Sequence, residues 1–232
     1  MTKKALKIIE EQMKAWKHSN TIAGSRTPVK KVFPVITVSR EFGAEGAALA
    51  SKIGKLIGFK LWDKELLQAI ANELGGGIRT IEILDERRQK TVEDTVSGFL
   101  MNIPTNMNYL RSLIRVIHTI EEYGNSIIVG RGANFICKNP KSLHIKVICP
   151  INKRVLDYAK KMNLTQPEAR EIIERKDRER QDFISQNFHK DISSPLNYDL
   201  VLNSERLTVD QMSAIVLEAY EKKTGMKVKA HA

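Results

Sequence analysis

The residues whose types and spacing could do chemistry begin with one turn, Ser39-Arg40-Glu41-Phe42-Gly43-Ala44-Glu45-Gly46-Ala47-Ala48. A β-branched run, Val35 to Val38, leads into it, and an apolar-periodic helix marked by Leu49, Ile53, Leu56 and Ile57 leads out. A strand, a glycine turn and a helix start together aim backbone N–H groups at one point beside a positive helix end. Such a turn can cradle phosphate. Two glycines there are equally consistent with tight strand-to-helix packing. The Lys and the Ser/Thr that make a phosphate-binding loop catalytic are missing.

Two further places carry cations. Arg131 lies between Gly130 and Gly132, directly after the apolar run Ser126 to Val129. There the backbone can approach a ligand closely while the guanidinium forks onto a phosphate. The plainer alternative is a surface Arg in a turn. Arg175, Arg178 and Arg180 alternate with Glu174, Asp177 and Glu179. Alternating charge on a helix is usually a solvated face, the simpler reading for this segment alone. Three arginines can also clamp a transferring phosphoryl group, whose charge spreads over its oxygens.

The elements that must position these side chains follow from periodicity. Short apolar runs at Val35–Val38, ending in Trp62-Asp63, at Ser126–Val129, at Leu143–Cys149 and at Asp199–Asn203 read as strands. Helices are expected over Lys64 to Leu74, Thr80 to about Leu100, Tyr109 to Tyr123, Asn152 to Met162, from Thr165 to about Ser185, and from Thr208 onward. Thr165 with Glu168, and Thr208 with Gln211, have capping-box spacing. Strands alternating with helices predict an α/β fold, three layers around a parallel sheet. Ligands then sit at the carboxyl ends of the strands, where Ser39, Asp63, Gly130 to Gly132 and Ser204 fall. Residues 1–20 read as a helix with Leu6, Ile9, Met13 and Trp16 on one face, suited to docking on the body or on a second subunit. A linker rich in Gly, Ser and Pro follows, from Asn20 to Pro28.

Composition sets the outer bounds. The 232 residues carry 38 basic and 27 acidic side chains, a net charge of +11, which favours anionic partners. A nucleic-acid-binding protein would fit that charge, but no recognition motif or aromatic stacking platform accompanies it. No run of about 18 apolar residues predicts a membrane span. Met1 to Lys17 lacks the apolar core of a signal peptide. Cys137 and Cys149 form no disulfide framework and read as free thiols in a reducing cytoplasm.

Five segments in order resemble the cytidylate kinase-like family of P-loop nucleoside monophosphate kinases. They are ITVSREFG (Ile36 to Gly43), FKLWDKELL (Phe59 to Leu67), IVGRGANFI (Ile128 to Ile136), DRER (Asp177 to Arg180) and NYDLVLNS (Asn197 to Ser204). The resemblance implies a P-loop domain over residues 29–224, after an N-terminal helical extension and linker (1–28) and before a basic tail (225–232). A helical insertion on the acceptor side would span about 75–123, and a lid about 165–195. The resemblance further implies ATP and Mg2+ as cofactors and a nucleoside monophosphate such as CMP or dCMP as acceptor. Residues 39–48 would hold the donor phosphates, Asp63 and Arg131 the acceptor, and Arg175, Asp177, Arg178 and Arg180 would belong to the lid. Arg40, Arg178 and Arg180 are the catalytic candidates.

The chain departs from the family's pattern inside the turn itself. The cationic position is Ala47, or Gly46 in an alternative register. The magnesium-binding hydroxyl is replaced by Ala48, and Glu45 brings negative charge. Gly132 stands where strict kinases have an Asp, and the magnesium ligands stay unassigned. One lost stabiliser of transition-state charge costs about 2.7–4 kcal/mol. Two functions therefore stand open: a phosphotransferase in which Arg40 or a lid Arg compensates, and a catalytically impaired nucleotide-binding sensor or scaffold.

Overall fold

The computed structural model describes residues 33–64, 67 and 108–228. The expected N-terminal helix with its linker, most of the helix from Lys64, the helix from Thr80, the loop after it and the last residues of the tail lie outside them. The elements are β1 (Ile36–Arg40), α1 (Gly46–Ile57), β2 (Lys60–Trp62), α2 (Asn108–Tyr123), β3 (Ser126–Val129), α3 (Ala133–Ile136), β4 (Leu143–Ile148), α4 (Ile151–Met162), α5 (Gln166–Phe188), a 3-10 turn (Pro195–Asn197), β5 (Leu200–Asn203) and α6 (Val209–Thr224). The chain divides into two compact units, residues 1–33 with 63–124, and residues 34–62 with 125–232.

In the first unit, α2 buries Leu110, Leu113, Ile114, Ile117 and Ile120. Their three- and four-residue spacing makes one apolar stripe on the helix. Gly124, at φ 63, ends it and donates its N–H to Ile120 O at 3.0 Å.

The second unit is an α/β domain. Its sheet has five strands in the order β2-β3-β1-β4-β5, every pairing parallel. Central β1 is β-branched because it is buried on both faces, where stiff branched side chains pack well. Thr37 and Ser39 lie opposite His144 and Lys146 of β4. Next to α1, the C-terminal helix α6 is fixed by Tyr220, which meets Phe59 edge to face at 5.9 Å and donates its hydroxyl to Pro34 O at 2.5 Å. Both capping boxes form: Thr165 N donates to Glu168 Oε2, and Thr208 N to Gln211 Oε1, each at 2.9 Å. Helix α5 runs three residues beyond Ser185 and stops where His189 turns left-handed at φ 52.

Helices α4 and α5 share a small core of their own, Val155, Ala159, Ala169 and Ile173. Phe42, from the turn after β1, packs against it and meets Tyr158 edge to face at 5.2 Å.

Candidate phosphate-binding site

Two loops face the carboxyl edge of the sheet, one after β1 and one after β3. The first is shaped by its backbone. Glu41 N donates to Val147 O at 3.1 Å and Ala44 N to Glu41 O at 3.3 Å. Gly43 takes φ 82, and Glu45 takes φ 59, a left-handed value unusual for a non-glycine residue. Helix α1 begins at Gly46 with no side-chain cap on its first amides. In the G-x-x-x-x-G-K-[ST] pattern the second glycine directly precedes the lysine. Laid on this backbone, with Glu45 at the left-handed corner, the pattern puts its first glycine at Arg40, its lysine at Gly46 and its hydroxyl at Ala47. That is the alternative register of the two read from the sequence. Ala47 and Ala48 are both exposed at the helix start.

The Arg40 side chain fills the place that a lysine at Gly46 would need. A Cβ added to Gly46 would lie 2.6 Å from Arg40 Cβ. The guanidinium extends toward the other loop, where a Cβ on Gly130 would lie 2.2 Å from Arg40 Nη1. Arg40 thus passes between two positions without side chains. Its charge stands between the ends of β1 and β3.

Beneath the first loop lies Arg154 of α4, only 7% exposed. Its Nε donates to Cys149 O at 2.7 Å, and its Nη1 donates to Phe42 O at 3.1 Å and to Asp177 Oδ2 at 2.5 Å. Glu41 Oε2 is 3.6 Å from Nη2 and also accepts from Cys149 N at 2.9 Å. Asp177 Oδ1 accepts the N–H of Phe42 at 2.7 Å. The Arg154 charge is therefore buried but paired, which keeps the cost of its desolvation tolerable.

Helix α5 sorts the charged segment by face. Ile173, Asp177, Arg180 and Ile184 share one side, at the helical spacing of four, three and four. Arg180 Nη1 donates to Arg40 O at 3.0 Å, and its guanidinium lies 5.4 Å from the Phe42 ring centre. Arg175 and Arg178 are 53% and 65% exposed and lie 4.0 Å from Glu171 and Glu174 respectively. Of the arginines read as lid residues, the structure thus brings Arg180 to the loop and leaves Arg175 and Arg178 at the solvated face.

The second loop is Gly130-Arg131-Gly132, at φ 78, 53 and 68. Gly130 N donates to Val38 O at 3.0 Å, tying the loop to the end of β1. The Arg131 guanidinium lies 5.0 Å from the ring centre of Phe183 on α5. A Cβ on Gly132 would lie 2.5 Å from the Phe188 ring, which stacks on Phe135 at 5.8 Å. Both loops therefore touch α5.

Around Ser39 the layer is polar. Its Oγ is 3.3 Å from the Tyr198 hydroxyl, which donates to Ile192 O at 2.9 Å. Buried Lys146 donates to the same carbonyl at 2.5 Å. Burial pushes its ammonium below the usual lysine range, against the opposing pull of Glu41, Asp191 and Asp177. Asp63 follows β2 at the start of the other unit, and its carbonyl accepts from Leu67 N at 3.0 Å.

The residues present fit an anion: uncapped amides begin α1, exposed Gly43 leaves the backbone open, and Arg40 supplies charge. They lack the hydroxyl with which such a loop would hold a magnesium ion. Alanines take the hydroxyl's place, and the described residues include no group of three or more His, Cys, Asp or Glu that could hold a metal.

Reading the sequence missed Arg154. A signal was present, since Arg154 sits with Val155 and Ala159 on the buried side of α4. An arginine there needs a carboxylate partner.

A parallel sheet in this order, with a glycine turn and helix after its central strand, defines the P-loop kinase class of α/β fold. More narrowly, the chain belongs to the cytidylate kinase-like family, whose pattern matches residues 35–206. Membership in a kinase-like family supports a phosphotransferase. The fold is similar to the crystal structure of an uncharacterized protein from Eubacterium ventriosum, at TM-score 0.66 and 17% identity over 83% of this chain and 99% of that one. A shikimate kinase from Bacteroides thetaiotaomicron aligns at TM-score 0.43 and 13% identity, over 81% of this chain and 98% of that one. Among curated proteins, a uronate isomerase from Corynebacterium glutamicum is 28% identical over 139 residues. That match takes in 60% of this chain and spans about a quarter (27%) of the isomerase. Among the described residues no helix is long and apolar enough to cross a membrane.

Proposed function

We propose that this protein transfers the γ-phosphate of ATP to a nucleoside monophosphate such as CMP or dCMP. One observation carries the reading: the Arg40 stem lies against Gly46 and its guanidinium against Gly130, so one cation stands between the two loops. In this reading the uncapped amides that begin α1, beside the open backbone at Gly43, hold the donor phosphates. Arg40 stabilises the charge that develops during transfer. Arg131 holds the acceptor phosphate. Arg180 steadies the donor loop, while Arg175 and Arg178 reach phosphate only if α5 turns or tilts. Magnesium would arrive with ATP, held by phosphate oxygens and water, as this ion commonly is. A coupled assay of ADP release with ATP and CMP or dCMP tests the proposal, alongside calorimetry of each nucleotide. ATP-dependent turnover that requires CMP or dCMP supports it. Consumption of ATP at the same rate without any acceptor overturns it.

A second reading is favoured by Asp177, whose carboxylate occupies the Phe42 amide within the phosphate loop. With no lysine or hydroxyl at the helix start, the protein would bind nucleotide and act as a sensor or scaffold. ATP binding without any turnover is its signature.

A further inference from the structure

We propose that Arg154 is a positioning residue: it sets the conformation of the donor loop and joins that loop to α5. The inference deepens the proposed function and rests on residues 39–48 being the donor loop. An arginine at this depth has three kinds of partner. It donates to the loop carbonyl of Phe42, to the strand-end carbonyl of Cys149, and to Asp177 on α5. Its aliphatic stem lies under Gly43, with Cβ, Cγ and Cδ between 3.6 and 3.9 Å from where a Gly43 Cβ would stand. Glu41 closes the arrangement from the far side at 3.6 Å.

The geometry makes the loop depend on Arg154 twice. Directly, the guanidinium holds the Phe42 carbonyl. Indirectly, it fixes the Asp177 carboxylate that accepts the Phe42 amide. Both polar groups of a single loop residue are thereby governed by one nitrogen, Nη1, while Nε of the same plane holds Cys149 O. Lysine cannot reproduce this, because an ammonium is a point charge on a flexible stem and has no second, coplanar donor nitrogen. The sheet and helices have their own core, whereas the loop leans on this cluster for the shape that presents amides to an anion. The expected consequence is selective: donor binding suffers, acceptor binding does not.

The experiment uses the full chain with R154K, R154Q and D177N. ATP and CMP affinities are measured by calorimetry, and exchange of the Phe42 amide by NMR. R154Q is expected to weaken ATP binding about tenfold or more, the range for loss of a charged hydrogen bond. R154K is expected to do nearly the same, and CMP affinity to stay within about threefold, below the range for loss of even one such bond. D177N keeps an acceptor for the Phe42 amide but loses the charge facing Arg154, so it falls between wild type and R154Q. Wild-type ATP affinity in a folded R154Q or R154K overturns the proposal, as does an equal loss of ATP and CMP affinity. Where R154Q fails to fold, R154K and D177N decide. If the wild-type protein binds no ATP, the functional reading fails but this one is still tested. Protection of the Phe42 amide must then fall in R154K and D177N, and unchanged protection overturns it.

Discussion

The loops after β1 and β3 face one another across Arg40, yet they are built by opposite means. The first is held by charge and hydrogen bonds: Arg154, Asp177 and Arg180 grip its backbone, and its own Glu41 reaches out to Arg154 and Cys149 N. The second is held by backbone conformation and aromatic packing, with three consecutive left-handed residues pressed against Phe183 and Phe188. Ion pairs and forked hydrogen bonds fix orientation closely but depend on every partner being present. Glycines and rings tolerate a neighbour's loss but not an added atom. The first loop is therefore sensitive to subtraction, the second to addition.

The largest test of that contrast removes what the loops share. Arg40→Ala is expected to lower turnover with ATP and CMP by about 100- to 1000-fold, the effect of removing one stabiliser of developing charge. Steady-state kinetics with a melting curve checks it. A loss below about tenfold would assign the cationic role elsewhere. Next, Gly46→Lys alone is expected to abolish activity, because its Cβ would fall 2.6 Å from Arg40 Cβ. Combining it with Arg40→Gly gives the new side chain room, and activity above either single variant is the expected coupling.

Smaller effects separate the two loops. Arg131→Ala is expected to weaken CMP binding by about 1.5–3 kcal/mol, as for loss of a charged hydrogen bond, and to leave ATP affinity alone. Titration calorimetry reads both. Gly132→Ala adds one methyl at φ 68, where it would meet Phe188 at 2.5 Å. Denaturant unfolding is expected to show about 1–3 kcal/mol of lost stability. Equal stability would mean that the ring shifts without cost. The smallest expected change is Phe183→Leu, which removes the ring beneath Arg131. A loss of about 0.5–2 kcal/mol in CMP affinity fits that cation–π contact.

Most of the sheet was legible because its signals are local. Apolar runs and two capping boxes each depend on residues close in sequence; both boxes form, and the runs appear as strands within two residues of their expected bounds. The glycine turn between strand and helix was legible, but its register was not. Only the left-handed backbone at Glu45 shows that α1 starts at Gly46. The division of the arginines on α5 was half legible. Ile173 and Ile184 mark the inner face, and Asp177 and Arg180 fall between them at helical spacing, whereas Arg175 and Arg178 do not. Arg154 was illegible in its role, because Phe42 and Asp177 reach it from 112 and 23 positions away. Long-range partners of one buried charge leave no periodic trace.

Helix α5 is a single uninterrupted element of 23 residues, about 34 Å at 1.5 Å per residue. A rod of that length in contact with both loops works as a lever. Its middle is tied to the first loop and its C-terminal turns to the second, so a tilt that frees one must be felt at the other. For the two nucleotides of the proposed function, thermodynamic reciprocity then requires that whatever one does to the affinity for the other, the other does in equal measure in return. The size of that mutual effect would be set by the stiffness of one helix.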